Sequence, residues 1–143
     1  MATRDHPHAQ TILRYYQGCN TGDVDLMKST FTDDVVHYFV DLEAVSGADT
    51  LAALWQRAAS KTKASWHLDH IIVEGDEAVI EWTMRWTPKG LTVEEILRGT
   101  EWYLFEDGLI KEIRSYHNNF HLADPSNFEL KGFDYAQRTY TLA

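Results

Sequence analysis

The chain has 143 residues, 44% of them hydrophobic and 13% aromatic, with a formal net charge of −9. That length suits one domain able to bury a core, and the composition excludes a disordered chain. The acidic balance argues against nucleic acid or an anionic membrane as a partner, and no apolar run is long enough to cross a bilayer. The first eight residues lack the apolar centre of a signal peptide. With a single cysteine, Cys19, no intrachain disulfide can form, and a reducing cytoplasmic location is expected. Cys19 itself reads as a small buried hydrophobe on a helix.

Residues 1–7 read as a loose start, with His6 and His8 exposed around Pro7. From about His8 to Thr21, Ala9, Ile12, Leu13, Tyr15, Tyr16 and Cys19 recur at helical spacing, and Thr21-Gly22 stops that helix. Asp23 can cap a short second helix that buries Val24, Met27 and Phe31. Thr32-Asp33-Asp34 then reads as a turn before a strand from Val35 to Val40, with Val35, His37 and Phe39 on one face. Ser46-Gly47-Ala48-Asp49 reads as a loop ending in a helix cap. It opens a third helix, expected from Thr50 to Ala59, with Leu51, Leu54, Trp55 and Ala58 on one stripe. Lys61 to Lys63 should be an exposed connector.

Four longer strands are expected next. They run from Ser65 to Glu74, from Glu77 to Thr87 after a Gly75-Asp76 turn, and then, past a break at Pro88-Lys89-Gly90, as a hairpin within Arg98 to Asn119. The hairpin turns at Asp107-Gly108, a pair that accepts the positive φ such a turn needs. Ile80, Trp82, Met84 and Trp86 share one face, opposite Val79, Glu81, Thr83 and Arg85, which predicts an antiparallel sheet with one covered side. In the hairpin, Glu101, Tyr103 and Phe105 lie on one face, and Ile113, Ser115 and His117 share a face after the turn. A face mixing apolar bulk with Glu101 and His117 is either a core with two tolerated polar residues or the wall of a cavity. Residues 120–143 carry turn chemistry at Asp124-Pro125-Ser126-Asn127 and five apolar anchors, Phe128, Leu130, Phe133, Tyr135 and Tyr140. They are expected to pack as a C-terminal extension on the body or on a second subunit. The whole, residues 1–143, reads as one α+β domain: three helices with a short strand among them, then a meander.

The stretches TGDVDLMKSTFTDDVV, SGADTLAALW, GDEAVIEWTMRW and RGTEWYLFEDGLIKEIRSYHN resemble the nuclear-transport-factor-2-like superfamily, over roughly residues 9–119. That is the fold of ketosteroid isomerase, SnoaL-type polyketide cyclases and scytalone dehydratase. The resemblance implies an α+β cone, in which a curved antiparallel or mixed sheet wraps around the long N-terminal helix and leaves a central pocket. It also implies a homodimer through the outer face of the sheet. By position, Tyr15 falls on the isomerase's oxyanion-hole tyrosine and Glu101 on its second oxyanion donor, an aspartic acid there. Trp55 falls on a pocket tyrosine, and His117 on a pocket tryptophan. The isomerase's general base, however, falls on Phe39, which cannot accept a proton. The cyclase's acid/base aspartate would fall near Ser115, and the dehydratase aspartate on Asn20.

The groups left facing the expected cavity are His37, Glu101, Tyr15 and His117. Desolvation raises the pKa of a carboxyl in an apolar pocket, so Glu101 is expected to stay protonated and donate to a carbonyl. His37 or His117 would then act as base, with Tyr15 and Glu101 stabilising an enolate. Phe39, Trp55, Trp82, Met84, Tyr103, Ile113 and Ser115 are expected to form the substrate-binding wall. The function so read is cofactor-independent proton transfer on a small apolar carbonyl compound: an isomerase, a dehydratase-type lyase or a cyclase. The other reading is a non-catalytic module that binds a hydrophobic ligand. No metal is expected. His67 and His70 flank Asp69, but on a strand they face opposite sides and cannot chelate together, and His117, His121 and Asp124 have ligand spacing only in a helix. Trp66 and Trp102, if outward-facing, would form a dimer surface with Leu104.

Overall fold

The computed structural model of the chain describes residues 3–117 and 130–138. After a single 3-10 turn, helix α1 (Pro7–Thr21) begins with Pro7, whose missing N–H costs nothing at a helix start, while the His6 ring accepts from the His8 amide at 3.0 Å. Gly22, at φ 67°, closes the helix in the left-handed conformation. Helix α2 (Val24–Ser29) is capped by Asp23, whose carboxylate accepts from the Leu26 amide. Strand β1 (Phe31–Phe39) follows, then the two-residue strand β2 (Val45–Ser46) and helix α3 (Ala48–Thr62). Strands β3 (Ser65–Glu74), β4 (Glu77–Trp86), β5 (Glu95–Glu106) and β6 (Leu109–Tyr116) complete an open mixed sheet in the order β2-β1-β6-β5-β4-β3. Only β1 and β6 pair in parallel; the other neighbours are antiparallel.

The expected α+β class and the meander stand, with local corrections. Thr32-Asp33-Asp34 is not a turn but part of β1, at an irregularity that lets Phe31 and Val35 stay buried while both aspartates reach solvent. Phe31 therefore starts a strand and does not end α2. Helix α3 begins at Ala48 after Gly47 (φ 95°), with no side-chain cap from Asp49, which instead pairs with Lys28. Lys61 belongs to its last turn, and Lys63 closes it at φ 54°. His8 is not exposed: its ring stacks on Phe105 at 4.0 Å and meets Asp76 at 3.2 Å.

At the hairpin, Asp107 and Gly108 both have positive φ, as the mirror-image turn requires. The register slips by one residue near Lys111, since Leu104 pairs with Glu112 but Phe105 with Ile110. A second bulge sits at Asp69, where Leu68 pairs with Trp82 and His70 with Glu81. That bulge reverses the expectation for His67 and His70. Both point to the outer face of β3, opposite Thr83 and Glu81, with side chains 78% exposed. Helices α1 and α3 cover the other face and bury Ile12, Tyr15, Leu51, Ile80, Tyr103 and Ile113 in one core.

The described part of the C-terminal segment packs on the outer face of β1 and β6. Leu130 bridges Val40, the Lys131 amide donates to the Phe39 carbonyl at 3.1 Å, and Phe133 meets the Tyr38 ring at 5.1 Å. Beneath it Glu112 accepts from Arg114 at 2.9 Å and from both terminal guanidinium nitrogens of Arg138, whose Cζ lies 4.4 Å from the centre of the Phe133 ring. Burial raises the Glu112 carboxyl, but the two arginines outweigh it and hold its pKa below the ordinary value. Asn119, the turn at residues 124–127, Phe128 and Tyr140 lie outside the described residues. Among the described residues no helix is long and apolar enough to cross a membrane.

Replacing Arg138 with methionine keeps the stem over Phe133 and removes the charge pair. With Arg138 partly exposed, the expected loss is about 1–2 kcal/mol in urea unfolding at neutral pH. The lowered Glu112 carboxyl contributes fully above the usual carboxylate range. The difference between the two proteins should therefore shrink as pH falls through that lowered value.

Candidate functional site

Side chains from two helices and four strands meet between the helices and the inner sheet face. Tyr15, Tyr16 and Cys19 come from α1 and Trp55 from α3, while Trp66, Trp82, Met84, Trp86, Leu97, Glu101 and Ser115 come from β3 to β6. They enclose a cavity of about 270 Å³ whose lining is almost wholly apolar. Phe39 and Leu42, at and beyond the end of β1, and His117, just after β6, complete the wall. Backbone geometry fixes one wall in particular. Trp82 lies flat over Gly99, its cross-strand partner, so closely that a Cβ on residue 99 would come within 2.5 Å of the indole. Only glycine permits that contact. The His117 ring then meets Trp82 edge-on at 5.7 Å.

Glu101 is the charged group in this wall, and strand register assembles its partners. Antiparallel pairing sets Glu101 opposite Ser115, and parallel pairing of β1 with β6 sets Phe39 beside Ser115, with His37 two residues back on the same face. Tyr16 and Tyr103 each donate a hydroxyl to Glu101 Oε1 at 2.7 Å. Ser115 Oγ donates to Oε2, and His37 Nε2 lies 2.6 Å from Ser115 Oγ and 3.5 Å from Oε2. Because the serine has one proton and gives it to the carboxylate, Nε2 must carry the hydrogen toward Oγ. His37 Nδ1 is buried without a partner among the described residues.

This network overturns the expected neutral acid. Burial raises the Glu101 carboxyl, as anticipated, but His37, Ser115 and Tyr16 together outweigh it and leave the pKa below its ordinary value. Glu101 is therefore an ionised acceptor and donates no hydrogen bond. The tyrosines move the other way. Burial first, then the charge on Glu101, pushes the Tyr16 and Tyr103 hydroxyls well up. Tyr15 is raised by burial, the Cys19 thiol and Glu101. All three stay protonated. Burial also raises the Cys19 thiol, whose sulfur lies 3.7 Å from that of Met27, so it behaves as the small hydrophobe expected.

Of the residues singled out from sequence, Tyr15, Phe39, Trp55, Trp82, Met84, Glu101, Ser115 and His117 share the cavity wall. His37, Tyr103 and Ile113 do not. They are fully buried behind the wall, His37 stacked against Phe39 at 4.1 Å. Tyr16 was missed as a site residue, because positional comparison favoured its neighbour. Helical spacing already placed both tyrosines on the buried stripe, and only packing shows which hydroxyl reaches Glu101. Trp66 was expected as an outward anchor. Instead it packs edge-on against Trp55 at 5.8 Å, where the Asn20 amide holds its backbone N–H and C=O at 2.7 Å each. Trp102 does face outward. Among the described residues no group of three or more His, Cys, Asp or Glu is placed to hold a metal. His121 and Asp124 lie outside them.

A carboxyl whose folded pKa is lowered contributes stability above its unfolded value and loses it as pH falls through the folded one. Glu101→Gln removes that contribution and should cost about 2 kcal/mol at neutral pH. Denaturation midpoints measured against pH should show the gap closing on the acid side, below the ordinary carboxylate range. A gap that widens in acid would mean that Glu101 is buried neutral.

Residues 12–113 match the SnoaL-like domain family. Among solved structures the chain is similar to a protein of unknown function with a cystatin-like fold from Methylobium petroleophilum. The two are 33% identical over 96% of this chain and 92% of that one, with a TM-score of 0.81. It is also similar to a Mycobacterium tuberculosis protein in complex with estradiol-17beta-hemisuccinate, at 16% identity over 80% and 95% of the two chains and a TM-score of 0.69. TerC, co-crystallised with polyporic acid, matches at 17% identity over 81% and 95%, with a TM-score of 0.71. The latter two likenesses show the fold alone. No curated protein matches the chain. The chain belongs to the SnoaL-like domain family, within the nuclear-transport-factor-2-like superfamily that its sequence resembles.

Proposed function

We propose that the chain is a cofactor-independent proton-transfer catalyst acting on a small apolar carbonyl compound, with Glu101 as the proton acceptor. The observation that carries this reading is a buried carboxyl that accepts three hydrogen bonds in the wall of a largely apolar cavity. Burying such a charge is costly without a use, and four polar side chains are spent on holding it. In the proposed step the C–H bond beside the carbonyl breaks. Its electron pair enters the enolate, and the proton passes to a Glu101 oxygen. The Tyr15 hydroxyl, kept protonated by burial, donates to the enolate oxygen. Return of the proton to another carbon gives an isomer; departure of a leaving group gives a lyase product. His37, which lies behind the wall, acts through Ser115 as a positioning residue. His117, on the wall itself, is the second candidate base.

A ligand-binding module without catalysis is the alternative, and one observation favours it. Both Glu101 oxygens already accept hydrogen bonds, which lowers their basicity. The two solved relatives crystallised with small ligands are compatible with either reading.

Exchange of α-hydrogens for solvent deuterium in indanone, followed by NMR, tests the chemistry without knowledge of the natural substrate. Glu101→Gln should slow exchange by about 100-fold with little change in ketone affinity. In the wild type, exchange should rise below the usual carboxylate range and stay flat through neutrality, since the base ionises early. A rise near neutral pH that disappears in His117→Ala would move the base to His117. Exchange unaffected by either change, in a protein that binds the ketone, would leave the binding module.

Assembly belongs to the same proposal. Ile72, Ile96 and Trp102 are exposed on the outer face of β3 and β5, beyond the area covered by residues 130–138. Sedimentation at micromolar concentration should give a dimer, and Trp102→Glu should shift it toward the 16.5 kDa monomer. A wild-type monomer would refute the dimer.

A further inference from the structure

The mouth of the cavity lies just past the end of β1. Of the residues that line it, Leu42 alone is largely open to solvent, at 38% exposure. Residues 41–44 belong to no helix or strand, and Asp41 takes the left-handed backbone (φ 67°), which few residues other than glycine adopt. The C-terminal segment ties this stretch down twice. Just before it, Val40 bridges Leu130, and the Phe39 carbonyl accepts from the Lys131 amide at 3.1 Å. Within it, Glu43 pairs with Lys131 at 2.6 Å. Val40, Leu130 and Phe133 form a small apolar cluster apart from the main core, with Tyr38 and Tyr135 packed against it. The Leu130 amide donates to the Tyr135 hydroxyl at 2.9 Å.

We propose that residues 130–133 latch the mouth of the cavity, and that a ligand enters when the latch releases and residues 41–44 carry Leu42 aside. This rests on the pocket reading above and adds how that pocket is opened. The parts of the latch are unequal. The Glu43–Lys131 pair is exposed at both ends, with side chains 79% and 54% accessible, so it guides the segment more than it holds it. The apolar cluster and its flanking main-chain bond do the holding. A cluster of three buried residues opens locally while the large core stays closed. Phe39 and Leu42 both line the cavity, and Val40 stands between them, so release at Val40 frees the wall on either side. A latch that excludes a ligand also traps one, so it sets the rates of entry and exit together and leaves affinity nearly unchanged.

The bond from Lys131 to Phe39 flanks the bridge and makes Val40 and Leu130 a non-hydrogen-bonded antiparallel pair, close enough to be joined by a disulfide. Stopped-flow tryptophan fluorescence with indanone, on a protein carrying Val40→Cys and Leu130→Cys, then compares the closed latch with the same latch reduced. Oxidation should slow indanone association and dissociation each by at least about tenfold, with Kd changed by less than about threefold, and reductant should reverse both changes. Leu130→Ala, in the otherwise unaltered chain, should speed both rates several-fold. Equal rates in the oxidised and reduced protein, where indanone binds, would overturn the latch and leave the pocket reading intact. A cysteine pair that does not oxidise would overturn it too, because Val40 and Leu130 would then not be held together. Failure of the wild-type protein to bind indanone would overturn the pocket reading itself, and the latch with it.

Discussion

The fold is arranged around one expensive group, the Glu101 carboxylate. It sits 5% exposed in a lining that is otherwise mostly aromatic and aliphatic, and four side chains from α1, β1, β5 and β6 surround it and hold its pKa down. Remove the ion and those groups lose their common acceptor; remove the groups and burial would neutralise the ion. The site is thus also a clamp that ties the first helix to the parallel β1–β6 pair and the hairpin. Stability and the proposed function rest on the same few hydrogen bonds.

The opposite face of the same strands repeats the device with different partners. Glu112 and Arg114 lie on β6 on either side of Ile113, facing away from the cavity, and Arg138 closes over them with Phe133. Strand β6 is therefore polar and paired on its outer side and lines the core and cavity on its inner side, which explains why it is buried almost throughout. The C-terminal segment also grips the Phe39 carbonyl and Val40, directly beside the cavity wall. Packing outside the sheet thereby steadies the residue that stacks on His37.

Chemistry at the site differs from what position alone implied. Phe39 stands where the related isomerase has its base, and it stacks on His37, so the imidazole acts on the cavity through Ser115 and Glu101. The acidic group that remains has its pKa held below the ordinary value, so it accepts hydrogen bonds where the aligned group would donate one. A likeness of positions carried the location of the pocket but not the protonation state of its carboxyl. That state depends on the sum of local hydrogen bonds.

Local signals determined a great deal. The strand alternation through Ile80, Trp82 and Met84, the Asp107-Gly108 turn and the helical stripe through Ile12, Tyr15 and Cys19 each depend on neighbours in sequence, so they were legible there. The shared face of Glu101 and Ser115 was not, because a regular hairpin from that turn would pair Glu101 with Arg114, and the slip near Lys111 brings Ser115 opposite instead. Tertiary structure decided what depends on distant partners. The bulge at Asp69 turned His67 and His70 to one side, and the pairing of Trp66 with Met84 put its ring on the cavity face. The parallel pairing of β1 with β6 placed His37 behind Ser115, and Tyr16 rather than its neighbour reached Glu101. A single-residue slip in a strand reverses every face beyond it, and a pKa sums contacts from four elements. Neither quantity is local, so neither could be read from the chain alone.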